Sequence, residues 1–93
     1  MTSLNIITVA GKQTKIGKSL SSYVQETLKV TLKKFFKNFI NSSVLFSKDT
    51  FNFKCEISIH LEGSIFVKAN ALSNDPYGSF NLANEKIKKR LRR

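Results

Sequence analysis

The 93-residue chain has little of what small proteins use for chemistry: one cysteine, one histidine, one proline, no tryptophan and only six acidic residues. A single cysteine excludes a disulfide framework and a four-cysteine metal site. A single histidine leaves little from which to build a triad or a histidine metal centre. The acids Glu26, Asp49, Glu56, Glu62, Asp75 and Glu85 are scattered, without metal-ligand spacing. No metal, cofactor or catalytic group is expected. No run reaches the ~18 apolar residues of a membrane span. Residues 1–11 lack the basic and long apolar segments of a secretory signal and read as a first strand. With the lone cysteine, this points to a cytoplasmic protein that avoids membranes. The length leaves room for one small domain, residues 1–93, with most of its 41% hydrophobic residues committed to the core.

The pattern of apolar residues changes period along the chain. Leu4 to Ala10 is apolar and β-branched, closed by Gly11, and predicts a strand. From Ser19 to about Phe39, Leu20, Tyr23, Val24, Thr27, Leu28, Thr31, Phe35 and Phe39 recur at helical spacing, with Gly17 as N-cap and 41–43 ending the helix. A short strand follows over 44–48, and Asp49-Thr50 turns the chain. Phe51, Phe53, Cys55, Ile57, Ile59 and Leu61 then alternate with polar residues, so one face of that strand is buried and the other wet. Glu62-Gly63 forms a turn into 64–72, with Ile65, Val67, Ala69 and Ala71 inward and Phe66, Lys68 and Asn70 outward. Asp75-Pro76 marks a helix start, an acidic N-cap followed by proline at the first helical position. In that helix Tyr77, Phe80, Ala83, Ile87 and Leu91 share the arc facing the sheet. The class is α+β, β-α-β-β-β-α: a four-stranded sheet with two helices packed on one face.

Lysine and arginine total 16, and the net charge is +10. That excess is concentrated. Residues 1–40 hold seven lysines and one glutamate, and residues 76–93 hold six basic residues and one glutamate; residues 41–75 are nearly neutral. Lys29, Lys33 and Lys37 step by four along the first helix and form one stripe. Lys86, Lys89, Arg90 and Arg93 lie outward on the last. A lone lysine stripe is most often a solvated face, and cations near a helix C-terminus also favour its dipole. Two stripes on the helical side of a neutral sheet point further, to a polyanion. Both helices spend their apolar faces on the core, which leaves none for a membrane surface and favours nucleic acid. The aromatic residues mostly point inward and do not form a base-stacking platform, Phe66 excepted.

These residues have a pattern that resembles a known family, the short ribosome hibernation promoting factors, kin of ribosome-associated inhibitor A and of sigma-54 modulation proteins. The sharpest part is the last helix, where the family runs Asp-x-Tyr-x-Ala-Ile-Asp-Leu, Asp-Lys-Leu, then Gln-Leu and a basic end. Here Asp75, Tyr77, Ser79, Phe80, Asn81 and Leu82, then Glu85, Lys86 and Ile87, then Arg90 and Leu91 keep that spacing. Ser79, Phe80, Asn81, Ile87 and Arg90 depart from it, and Glu85 is a conservative change. Gly11-Lys12 follows the first strand, Leu20, Tyr23 and Val24 match the first helix, Gly17 replaces the usual threonine cap, and Lys54 and Glu56 match the third strand. The resemblance implies a double-stranded-RNA-binding-domain-like fold. It also implies binding of the small ribosomal subunit and its ribosomal RNA in the channel of messenger and transfer RNA, near the decoding site, with inhibition of translation in stationary phase or stress. Carried onto this sequence, the RNA-binding candidates are Lys86, Lys89, Arg90, Arg93, Lys29, Lys33 and Lys37, with Lys12. A ribosome-pairing helper protein is a further implied partner, and the free chain is expected to be a monomer.

Two other readings weigh against this one. A general double-stranded-RNA module shares the α-β-β-β-α order but grips phosphates with lysines at the start of its last helix. Here that start is Asp75-Pro76-Tyr77-Gly78-Ser79, with no basic residue before Lys86. A small hydrolase needs a nucleophile and base or clustered carboxylates. His60 falls on the wet face of its strand near Ser58, and Cys55 faces the core.

Overall fold

The switch from helical to alternating period and back sets the element order of the computed structural model, which describes residues 6–12, 14–35 and 39–91. The elements are β1 (Ile6–Lys12), α1 (Lys18–Phe35), β2 (Phe39–Asp49), β3 (Asn52–Leu61), β4 (Ile65–Ser73) and α2 (Pro76–Leu91). The sheet order is β1-β2-β3-β4. β1 pairs with β2 in parallel, and the other two pairs are antiparallel. A parallel pair needs a crossover rather than a tight turn, and α1 supplies it.

Register explains the core. Val9, Val44, Ile57 and Ala69 stand in one row across the sheet, and Ile7, Ser42, Ile59 and Val67 in another. Side chains of these rows meet Leu20, Val24, Leu28 and Leu32 of α1 and Phe80, Ala83 and Ile87 of α2 in a single cluster, so both helices cover the same face. The other face carries Ser43, Glu56, Ser58, His60, Phe66, Lys68 and Asn70. In a third inward row Gly11 stands beside Phe46. A Cβ there would lie 2.3 Å from the Thr14 carbonyl oxygen, so the return of the chain over β1 requires glycine.

The helices meet along a polar and aromatic seam. Tyr23 Oη donates to Asn81 Oδ1 at 2.6 Å, and its ring packs on Tyr77 and Phe80 at 5.2 and 5.9 Å. Deeper, the buried Thr31 hydroxyl reaches the Thr27 carbonyl and Asn84 Oδ1 at 3.2 and 3.1 Å.

Several boundaries differ from the sequence reading. Phe39, expected to continue the helix, opens β2, and 41–43 are strand rather than helix end. β2 is bonded on both sides, and its ladders to β1 and β3 override the weak strand preference of Asn41, Ser42 and Ser43. β1 runs on to Lys12, past the expected end at Ala10, and Leu4 and Asn5 lie outside the described residues. Phe51, expected inward, is 86% exposed, because Asp49↔Asn52 is the last pair and Thr50-Phe51 form the turn. Ile65, also expected inward, lies exposed at the start of an edge strand. Tyr77, expected on the arc facing the sheet, is partly exposed and packs on Tyr23. Leu32, absent from the expected stripe, is fully buried. The turn at Glu62-Gly63 is as expected: Gly63 has φ 83°, a conformation that suits glycine.

Candidate nucleic-acid interface

α2 carries the main cluster of cations, and its position follows from its first residues. Asp75 Oδ1 accepts from the Gly78 backbone N–H at 3.0 Å, and Ser79 N–H donates to the Asp75 carbonyl at 3.1 Å. This is an N-cap with the first helical bond in place. Phe80, Ala83 and Ile87 then seat the helix over β3 and β4. The 3.6-residue period turns Lys86 and Arg90 toward the edge strand β4, with Lys89 further out. Lys86 Nζ donates to the Asn70 carbonyl of β4 at 2.8 Å.

On β4, outward residues alternate with inward ones, so Phe66 and Lys68 stand on the open face at the sheet's edge. The two sets converge. Phe66, Val67, Lys68, Lys86, Lys89 and Arg90 line one shallow groove between the β4 edge and α2. Four cations and no acid contribute to it. Phe66 is 58% exposed, and its ring stacks on His60 of β3 at 4.4 Å with 7° between the planes.

The remaining candidates lie elsewhere. Lys29 lines a small hollow with Ile7, Gln25 and Glu26, on the β1 flank of the helical layer. Lys33 is exposed on α1, and Lys12 is exposed at the end of β1. Lys34 and Lys88 line the groove between the helices with Glu26, and Lys88 pairs with Glu85 at 3.2 Å. Lys37 and Arg93 lie outside the described residues. The structure thus brings together Lys86, Lys89 and Arg90, while Lys29 sits on the opposite flank beside an acid. Sequence reasoning missed Lys68. Its outward alternation was readable; that β4 is an edge strand running beside α2 was not.

The groove's cations suit an anion, and its described lining holds no acid, histidine or thiol. Among the described residues no three His, Cys, Asp or Glu side chains group closely enough to hold a metal ion. Burial, with the charge of Glu56 adding to it, pushes the Cys55 thiol up to about 12, so at neutral pH it is a protonated core residue and a poor nucleophile. No described helix is long and apolar enough to cross a membrane.

Comparison with known proteins adds a family. The profile described as "Sigma 54 modulation protein / S30EA ribosomal protein" matches residues 7–93. A "Ribosome hibernation promotion factor" of Rhizobium meliloti is 32% identical over 87 residues, 94% of this chain and 46% of the relative. One from Bradyrhizobium diazoefficiens is 31% identical over 91% of this chain and 42% of its own length. The chain therefore spans less than half the length of these curated relatives. Among solved structures, a "ribosomal subunit interface protein" from Coxiella burnetii superposes with a TM-score of 0.80 at 19% identity, over 94% of this chain and 93% of that one. The N-terminal domain of Thermus thermophilus Protein Y gives 0.80 at 20% identity, over 94% of both chains. At such identities the two superpositions establish the shared fold.

Proposed function

The chain belongs to the sigma 54 modulation protein / S30EA ribosomal protein family, and from that premise we propose that it is a ribosome hibernation factor. In this reading residues 1–93 act as one ribosome-binding domain and as a non-enzymatic blocker in the cytoplasm. It occupies the small subunit in the channel of messenger and transfer RNA near the decoding site, and inhibits translation in stationary phase or stress. The free chain is a monomer, and a ribosome-pairing helper protein is its second partner.

The observation that carries the site is the acid-free groove in which Lys68, Lys86, Lys89 and Arg90 meet. Ribosomal RNA presents phosphates at high density. Cations that neutralise them release counterions, which yields affinity without reading bases. The folded body then blocks by occupancy. Lys29, Lys33 and Lys12, spread over other parts of the surface, serve as secondary contacts, and Lys37 and Arg93 belong to the same proposal.

Reversing charge at Lys86, Lys89 and Arg90 together weakens co-sedimentation with purified small subunits by about 100-fold or more, since three phosphate contacts become repulsions. Circular dichroism melting checks that the fold survives loss of the Lys86 bond to Asn70. Undiminished co-sedimentation removes this groove from the interface. The general double-stranded-RNA reading draws on the shared topology. It requires generic duplex RNA to compete as well as small subunits in a gel shift, and the Asp75-Pro76 start of α2 argues against that result.

A further inference from the structure

His60 and Phe66 oppose each other in the β3–β4 register, on the sheet face away from the helices. Cross-strand aromatic pairs of this kind stabilise a hairpin. That accounts for the stack but not for its surroundings. One face of the Phe66 ring lies against His60. The other points past β4, which ends the sheet, so among the described residues no further strand covers it. What borders it instead is the groove with Lys68, Lys86, Lys89 and Arg90. Ser58 stands opposite Lys68 in the next row and Glu56 opposite Asn70 a row beyond that, while Glu62 lies exposed in the turn two residues past His60; none of these acids lines the groove.

A bare aromatic face flanked by cations matches one ligand in particular: an unpaired nucleotide, whose base stacks while its phosphates meet the charges. Double-stranded RNA offers phosphates but keeps its bases stacked on one another. An apolar peptide would fill the ring face and leave four positive charges unmatched. We propose that Phe66, backed by His60, is the stacking platform for an unpaired base of single-stranded RNA whose adjoining phosphates lie on Lys68, Lys86, Lys89 and Arg90. That the ligand is RNA rests on the hibernation-factor reading; that it includes an unpaired base rests on the ring.

The test uses a fluorescently labelled oligoadenylate and a ribose-phosphate strand of equal length without bases, both at low salt. The wild-type chain binds oligoadenylate about tenfold more tightly than the abasic strand, in the range of one stacked base. Phe66→Leu brings its affinity for oligoadenylate down to that for the abasic strand. The chain has no tryptophan, so Phe66→Trp is a unique reporter. It retains the preference, and its fluorescence is quenched by oligoadenylate and not by the abasic strand. Equal binding of the two strands by the wild type, or an unquenched Trp reporter, overturns the proposal. Co-sedimentation of the wild type with small subunits is measured separately. If it succeeds while the strands bind equally, only the stacking site falls; if it fails while quenching persists, the hibernation reading falls and the site stands.

Discussion

Cys55 stands in one inward row with Phe46 of β2 and Ala71 of β4, fully buried. Its thiol is raised from an ordinary 9.0 to about 12 by loss of solvent first and by Glu56 second. The neutral form is thus favoured in the native state, while the unfolded chain ionises near its ordinary value. The resulting stability is fully present below about pH 9 and is lost as pH climbs toward about 12. Urea titrations across this window give a falling unfolding free energy, and Cys55→Ala, compared by slope rather than level, flattens the fall. An unchanged slope in that variant would place the alkaline loss elsewhere. At this scale alternation alone identified the residue as inward. Phe51, in the same alternating run, was misjudged because the run continues one position into the turn. Ser42 was harder still: it is buried in a row of apolar residues, and its hydroxyl has no hydrogen-bond partner among the described residues, which no polarity pattern signals.

Elements differ in how firmly their own residues define them. α2 starts where Asp75-Pro76 says it should, and Asp75 accepts the expected backbone hydrogen bond. Asp75→Ala lowers stability by about 1 kcal/mol, and Asp75→Asn, which keeps an accepting oxygen, by much less; equal losses in denaturant melts would deny the cap. α1 starts at Gly17, whose carbonyl accepts from Ser21 N–H at 3.0 Å, without a capping side chain. Its far end was not readable, because Phe35 and Phe39 keep a helical interval while Phe39 already belongs to the sheet. The two edge strands are each guarded by a helix. Gln25 Nε2 donates to the Ile7 carbonyl at 3.4 Å, and Lys86 Nζ to that of Asn70 at 2.8 Å. Such bonds occupy backbone groups that would otherwise invite another strand.

Across the whole molecule, charge is distributed so that the helices and their flanks carry the excess over a nearly neutral sheet. If the proposed function holds, four phosphate contacts in the α2–β4 groove make small-subunit affinity fall roughly 100-fold between 50 and 200 mM salt. A flat salt dependence in sedimentation would mean that the groove does not meet phosphates. The element order, the choice of inward residues in β3 and the amount of positive charge were determined by local sequence, because period, capping and composition need no partner to be read. Tertiary structure alone decided which cations lie together. Lys68 joins Lys86, Lys89 and Arg90 only because β4 is an edge and α2 runs beside it, and Lys29 is parted from them because α1 covers the other flank. Such neighbours are distant in the chain, and no local periodicity encodes the pairing that brings them within reach of one ligand.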